Sequence, residues 1–170
     1  MFFVNVKETL PWQSCVIELP LGELKLYFSE AGIGRLVLPG DPDSPQGEPS
    51  FVTGKLPWGE LEIDLKGFFK GREIRGSYPL LDTGYSSFTL KVLQLTAAIP
   101  FGETCTYGEI AMASGNLRGA RAVGQALGRN NTPLLIPCHR VIGKKGALGG
   151  FGSGLGWKSQ LLALEGHRFL

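Results

Sequence analysis

Thr106-Tyr107-Gly108-Glu109 marks a helix start more firmly than any other stretch of this chain, and the twenty residues after it limit the fold. The Thr106 hydroxyl and the Glu109 carboxylate are spaced to cap each other's backbone donors, as in a capping box. A short helix is predicted over 107–114, stopped by Gly115, which tolerates the left-handed backbone of a helix end. After Asn116-Leu117 a second helix is predicted over 118–128. Two short helices joined by a tight, glycine-containing turn read as a helix-turn-helix.

The elements around this pair complete the second half. Phe88, Val92, Leu95 and Ile99 share one face of a preceding helix that Pro100 must end. Leu134-Leu135-Ile136 reads as a buried strand, a glycine-rich loop covers 143–156, and a last helix is predicted over 157–165. The first half differs in pattern. Short apolar runs at 15–19, 24–28 and 35–38 are separated by turn residues at 20–22 and 30–34, which predicts an antiparallel meander. Residues 39–50 are dense in Pro, Gly, Asp and Ser and are expected to form a mobile loop. Leu61, Leu65, Phe68 and Phe69 have helical spacing within 57–70, and 71–87 is expected to be irregular. The expected class is α+β, with an N-terminal domain over 1–84 and a second over 85–170.

Charge separates the halves as well. Residues 1–86 carry 8 Lys/Arg against 12 Asp/Glu, a net of −4, whereas 87–170 carry 9 against 3, a net of +6. The asymmetry points the second half toward a polyanion. No apolar run reaches the roughly 20 residues of a membrane span, and the apolar start at 1–6 meets Lys7 and Glu8 too soon for a signal peptide. Three scattered cysteines, Cys15, Cys105 and Cys138, give no disulfide framework and suggest a reducing, cytoplasmic setting. With two histidines and no Cys-x-x-Cys or His-x-x-x-His spacing, they make no zinc ligand set, so no metal is expected.

The second predicted helix, Arg-Gly-Ala-Arg-Ala-Val-Gly-Gln-Ala-Leu-Gly-Arg, holds Gly119, Gly124 and Gly128, each costing roughly 1 kcal/mol against alanine. Ala120 and Gly124 lie four apart on one flank, as do Arg121 and Gln125. So small a surface suits close helix packing or close approach to another surface. Arg121 and Arg129 favour the second, since arginine reaches phosphates or enters a base stack.

Ile136-Pro137-Cys138-His139-Arg140-Val141 is the stretch richest in chemistry. Pro137 ends the strand and presents Cys138 at an edge, and His139 and Arg140 favour its thiolate. A buried, inert thiol is the alternative that this string alone leaves open. Neighbouring strand side chains face opposite ways, so His139 would act on Cys138 through a water or a local turn.

This string, continued by Ile142, resembles the active-site signature of the O6-alkylguanine-DNA alkyltransferases, also called methylated-DNA–protein-cysteine methyltransferases. The similarity runs from about Phe88 to Gly166 and includes Pro100-Phe101-Gly102-Glu103, Thr106-Tyr107-Gly108-Glu109, Arg121-Ala122-Val123-Gly124 and Leu162-Ala163-Leu164-Glu165-Gly166. The first 86 residues are similar only in outline. The resemblance implies a small ribonuclease-H-like domain followed by a winged helix-turn-helix. It implies repair of O6-alkylguanine, and of O4-methylthymine, in double-stranded DNA by a monomer that uses no cofactor. The second helix would enter the minor groove with Ala120, Ala122 and Gly124, aided by Gln125, Thr89 and Tyr107. Arg121 would replace the extruded base, because an O6 substituent is out of a thiolate's reach inside the duplex. Cys138 would take the alkyl group once. His139 would act as base through a water, Glu165 would orient it, Asn130 would brace the loop, and Tyr107 would help neutralise the leaving base. Pro133, Val141, Leu148, Phe151, Gly152 and Ser153 would line the pocket. The family's Gly-Tyr-Ser-Gly-Gly-Leu is replaced here by Gly150-Phe151-Gly152-Ser153-Gly154-Leu155, which alters the pocket wall.

The remaining alternatives are a lesion sensor that resembles this family but lacks the thiol, a hydrolytic Cys-His enzyme, and a winged-helix regulator. Cys138 speaks against the first, and the small-faced helix has no task in the second. The third finds no added metal-binding activation module.

Overall fold

The computed structural model describes residues 2–5, 12–41 and 52–167. These form two compact units, Met1–Gly84 and Tyr85–Leu170. The expected loop over 39–50 falls mostly outside the described residues.

In the first unit the predicted meander is present as β2 (Gln13–Leu19), β3 (Gly22–Ser29) and β4 (Gly32–Val37). Both pairings are antiparallel, with a register shift at Tyr27/Phe28. Three short strands join them: β1 (Phe2–Asn5), β5 (Val52–Thr53) and β6 (Pro79–Asp82), giving the order β1-β6-β4-β3-β2-β5. The added pairings are all parallel. β6 corrects the expectation that 71–87 is irregular. It is four residues long and begins with a proline, so it carries too little alternation to be read as a strand. Leu24, Leu26 and Phe28 alternate along β3 and are buried. Helix α1 (Gly59–Phe68) buries Leu61, Leu65 and Phe68, and an edge-to-face contact between Phe28 and Trp58 ties its start to β3.

The second unit is built on α2 (Ser87–Ala97), α3 (Tyr107–Ala113) and α4 (Ala120–Leu127), which pack on one another. The face of α2 lies one residue from expectation: Thr89, Val92, Leu93 and Thr96 are buried, while Phe88 and Leu95 are half-buried. The two threonines are accommodated because Thr96 donates to the Val92 carbonyl at 2.8 Å and Thr89 shares a hydrogen bond with Ser86. The capping box at Thr106/Glu109 is formed in full, and Gly115 has φ 86°. Helix α4 starts two residues later than predicted, because Gly119 N–H donates to the Asn116 carbonyl and closes a turn over 116–119.

Leu134-Leu135-Ile136 is buried but is no strand. Leu134 has φ 71°, and Ile136 N–H turns back to the Thr132 carbonyl at 2.9 Å. A short strand, β8 (Val141–Ile142), pairs in parallel with β7 (Cys105–Thr106). The last helix, α5, spans Leu155–Leu164, and Glu165 stands just past its end. Among the described residues no helix is long and apolar enough to cross a membrane.

Candidate active site

Cys138 is placed by two consecutive tight turns. Pro137 has φ −78° and ψ 62°, and Cys138 N–H donates to the Ile136 carbonyl at 2.8 Å, an inverse γ-turn. A single 3₁₀ turn, Cys138–Arg140, comes directly after it. The expected strand edge is therefore replaced by a turn, which removes the alternation that would have sent His139 to the opposite face. All three residues of the turn are buried.

Asn130 braces this turn from the end of α4. Its side-chain N–H group lies 3.0 Å from the Ile136 carbonyl and 3.1 Å from Cys138 Sγ, and its Oδ1 accepts from Thr132 N–H at 3.1 Å. One amide thus holds both ends of the segment before the cysteine.

Behind the thiol lies a buried charge network. His139 Nε2 is 2.8 Å from Glu165 Oε1. Arg140 grips the same carboxylate, Nε at 2.9 Å from Oε2 and Nη2 at 2.9 Å from Oε1, and donates to the Ile99 carbonyl at 2.7 Å. The Gly102 N–H completes the set at 3.0 Å from Oε2. Burial alone would raise the Glu165 pKa, but these donors outweigh it and bring it down to about 2. Burial lowers the His139 pKa despite Glu165, leaving a neutral imidazole able to accept a proton.

Electrostatics at the thiol correct the sequence reading. Burial is the largest influence and raises the Cys138 pKa, with Asn130 and Lys158 opposing it. Arg140 is committed to Glu165 and does not promote a standing thiolate. The resting sulfur is a protonated thiol that needs a base.

Cys138 opens into a cleft of about 740 Å³. One side is α4, through Ala120, Arg121, Gly124, Gln125, Leu127 and Gly128. The other is the segment after the cysteine, through Gly143, Lys144, Gly150, Phe151 and Gly152, and Tyr107 and Gly108 complete the lining. The structure thus gathers Cys138, Tyr107, Ala120, Arg121, Gly124, Gln125, Phe151 and Gly152 at one cleft, with His139, Glu165 and Asn130 behind. Others among the expected residues stand off its lining. Pro133 is buried in the turn, Ala122, Leu148 and Ser153 are half-buried elsewhere, and Val141 is fully buried with its carbonyl on Lys158. Thr89 is 3% exposed and bonded to Ser86, because it belongs to the packed face of α2.

Tyr107 comes directly after the Thr106 cap, so the capping box also aims the phenol. Its hydroxyl donates to the Gly150 carbonyl at 3.2 Å and receives Lys158 Nζ at 3.3 Å. Gly149 (φ 69°) lies against the ring with no room for a Cβ. By contrast, a Cβ at Gly150 or Gly152 would meet nothing within 4 Å.

Lys158 is the main residue that sequence reasoning missed. It is fully buried on α5, and its Nζ also donates to the Val141 carbonyl at 2.6 Å and the Gly150 carbonyl at 3.2 Å. Burial lowers its pKa to about 8, while the Cys138 thiolate would raise it. Its helical spacing with Leu161, Leu162 and Glu165 was the available signal.

Comparison with known proteins identifies the family. Residues 87–167 match the family model for the 6-O-methylguanine DNA methyltransferase DNA-binding domain. The chain is 35% identical to the methylated-DNA–protein-cysteine methyltransferase of Homo sapiens, over 89% of this chain and 79% of that one. It is 40% identical to the constitutive enzyme of Bacillus subtilis, over 87% of this chain and 92% of that one. The structure superposes on Mycobacterium tuberculosis OGT in complex with DNA with a TM-score of 0.80 and 32% identity, covering 91% and 93% of the two chains. With a cysteine seated beneath a small-faced helix and backed by a His–Glu pair, the chain belongs to the methylated-DNA–protein-cysteine methyltransferase family.

Proposed function

We propose that this protein repairs O6-alkylguanine in double-stranded DNA by moving the alkyl group irreversibly onto Cys138, acting as a cytoplasmic monomer. O4-methylthymine, which presents the same alkyl–oxygen chemistry, is a second substrate in this reading. The observation that carries it is the buried Cys138 thiol at the cleft, held by Asn130 and followed in the same turn by the Glu165-bound His139. The fold is read as a ribonuclease-H-like domain followed by a winged helix-turn-helix formed by α3, α4 and the β7–β8 region.

In this reading Ala120, Ala122 and Gly124 let α4 approach the minor groove, Gln125 contacts the backbone, and Arg121 fills the gap left by the extruded base. Thr89 drops out of the contact set, because its side chain is committed inside the protein. A cleft of about 740 Å³ is ample for one nucleobase and its substituent. Phe151 and Gly152 face the base and its alkyl group. Pro133, Val141, Leu148 and Ser153, which stand off the cleft lining, drop out of the pocket set.

The chemistry is a single displacement. His139, neutral and oriented by Glu165, takes the thiol proton through a water. The sulfur attacks the alkyl carbon, the S–C bond forms, and the C–O6 bond breaks with its electron pair on guanine. Tyr107, whose hydroxyl exchanges its bond to the Gly150 carbonyl for one to the incoming base, donates a hydrogen bond to the leaving guanine. The thiol proton taken by His139 returns through water to that guanine, so the proton count closes. The thioether is stable, so each molecule reacts once.

Incubation with duplex DNA carrying O6-methylguanine should place one methyl on the Cys138 peptide, with repaired lesions equal to protein added. Mass spectrometry showing catalytic turnover, or an unmodified Cys138, would sink the reading.

A further inference from the structure

Resting on that reading, we propose that Lys144 and Lys145 form a phosphate clamp that grips the backbone of the damaged strand across the cleft mouth from Arg121. Lys144 lines the same cleft as Arg121, on a segment separate from α4. Both lysines are exposed, and neither has an ion-pair partner among the described residues. The unit has three acidic side chains: Glu165 is buried under His139 and Arg140, Glu109 is engaged in the capping box, and exposed Glu103 forms no ion pair among the described residues. Two adjacent cations with no carboxylate in ion-pair contact repel each other, an arrangement suited to a polyanion.

The backbone shows that the pair is held in place. Gly143 N–H donates to the Ala147 carbonyl at 2.6 Å, and Ala147 N–H donates to the Lys144 carbonyl at 3.3 Å, closing a tight loop over 143–147. Inside it Lys145 has φ 58° and ψ 26°, the left-handed region that glycine adopts freely and lysine does not. A side chain is therefore kept where the backbone alone would favour none. The loop springs from β8, whose partner β7 leads straight into Tyr107, so the lysines and the cleft wall share one support. A nucleotide whose base occupies the cleft has its phosphates within one sugar of the mouth, which brings them between Arg121 and Lys144.

The test compares the full-length protein with Lys144→Ala/Lys145→Ala and with Lys145→Gly, which suits the left-handed backbone. The double variant should bind unmodified duplex DNA about tenfold more weakly, and its log K against log salt slope should be shallower by about 2, the counter-ion release of two phosphate contacts. Lys145→Gly should lose about half of that slope change while unfolding no earlier than the parent. Reaction of the parent and of Lys145→Gly, whose side chain is outside the cleft lining, with free O6-benzylguanine should be equal. Neutral methylphosphonate linkages flanking the lesion should erase the parent's advantage over the double variant. Unchanged affinity and slope, or a parallel fall in the free-base reaction of Lys145→Gly, would overturn the clamp. Failure of the parent protein to become alkylated at Cys138 would instead strike the proposed function.

Discussion

Among single residues, Glu165 holds together more of the site than Cys138 does. Its carboxylate receives His139, Arg140 and the Gly102 N–H, all away from water. Removing one partner of such a set leaves buried charge uncompensated, so Glu165→Gln should cost about 3 kcal/mol or more at neutral pH. Its pKa lies near 2, below the ordinary 4.5. The stabilisation is therefore complete above about pH 4.5 and is lost as pH falls toward 2. Denaturant unfolding across that range should show the gap between parent and Glu165→Gln closing with acid; a constant gap would contradict the network. Asn130→Ala removes the N–H group that opposes the burial-driven rise of the Cys138 pKa. The alkyl-transfer rate profile should then shift to higher pH, with a lower rate at neutrality. The string around Cys138 was legible because a thiol, an imidazole and a fixed-φ proline are consecutive. Lys158 was not, because a lysine on a helix defaults to solvent until its carbonyl partners are known.

Among the elements, α4 is a helix weakened by its own composition. Gly124 sits in its middle, yet a Cβ there would meet the Tyr107 ring only at 3.8 Å, an ordinary contact. Packing within the chain does not demand the glycine. Gly124→Ala should stabilise the protein by about 0.5–1 kcal/mol while slowing repair in duplex DNA and sparing the free-base reaction. Stabilisation with undiminished duplex repair would mean that the small face is not a DNA face. Thr106→Ala should cost about 1 kcal/mol in thermal unfolding through loss of the cap. The capping box and the meander were legible because their signals are local spacings. The turn at Leu134–Ile136 was not: its apolar run resembles a strand, and only the return of Ile136 N–H to Thr132 reveals the turn. β6 escaped for a related reason, since its pairing with β1 and β4 is a long-range event that four residues do not announce.

Across the molecule, the charge division matches the structural one. The unit ending at Gly84 carries a net −4 and the unit beginning at Tyr85 a net +6. Raising salt from about 50 to 200 mM should therefore slow duplex repair tenfold or more, with little effect on reaction with a free alkylated base. Equal sensitivity of the two reactions would place the salt effect on the chemistry. The division was visible in the sequence because charge adds without regard to fold. The mixed sheet was visible only in its three consecutive strands.

The open space beside Gly150 and Gly152 has a practical consequence. Where a cleft wall is bare backbone facing solvent, its aperture can be narrowed one methyl at a time without repacking anything behind it. Alanine or serine at position 152 would extend the cleft wall by one small side chain while displacing no neighbouring atom within 4 Å.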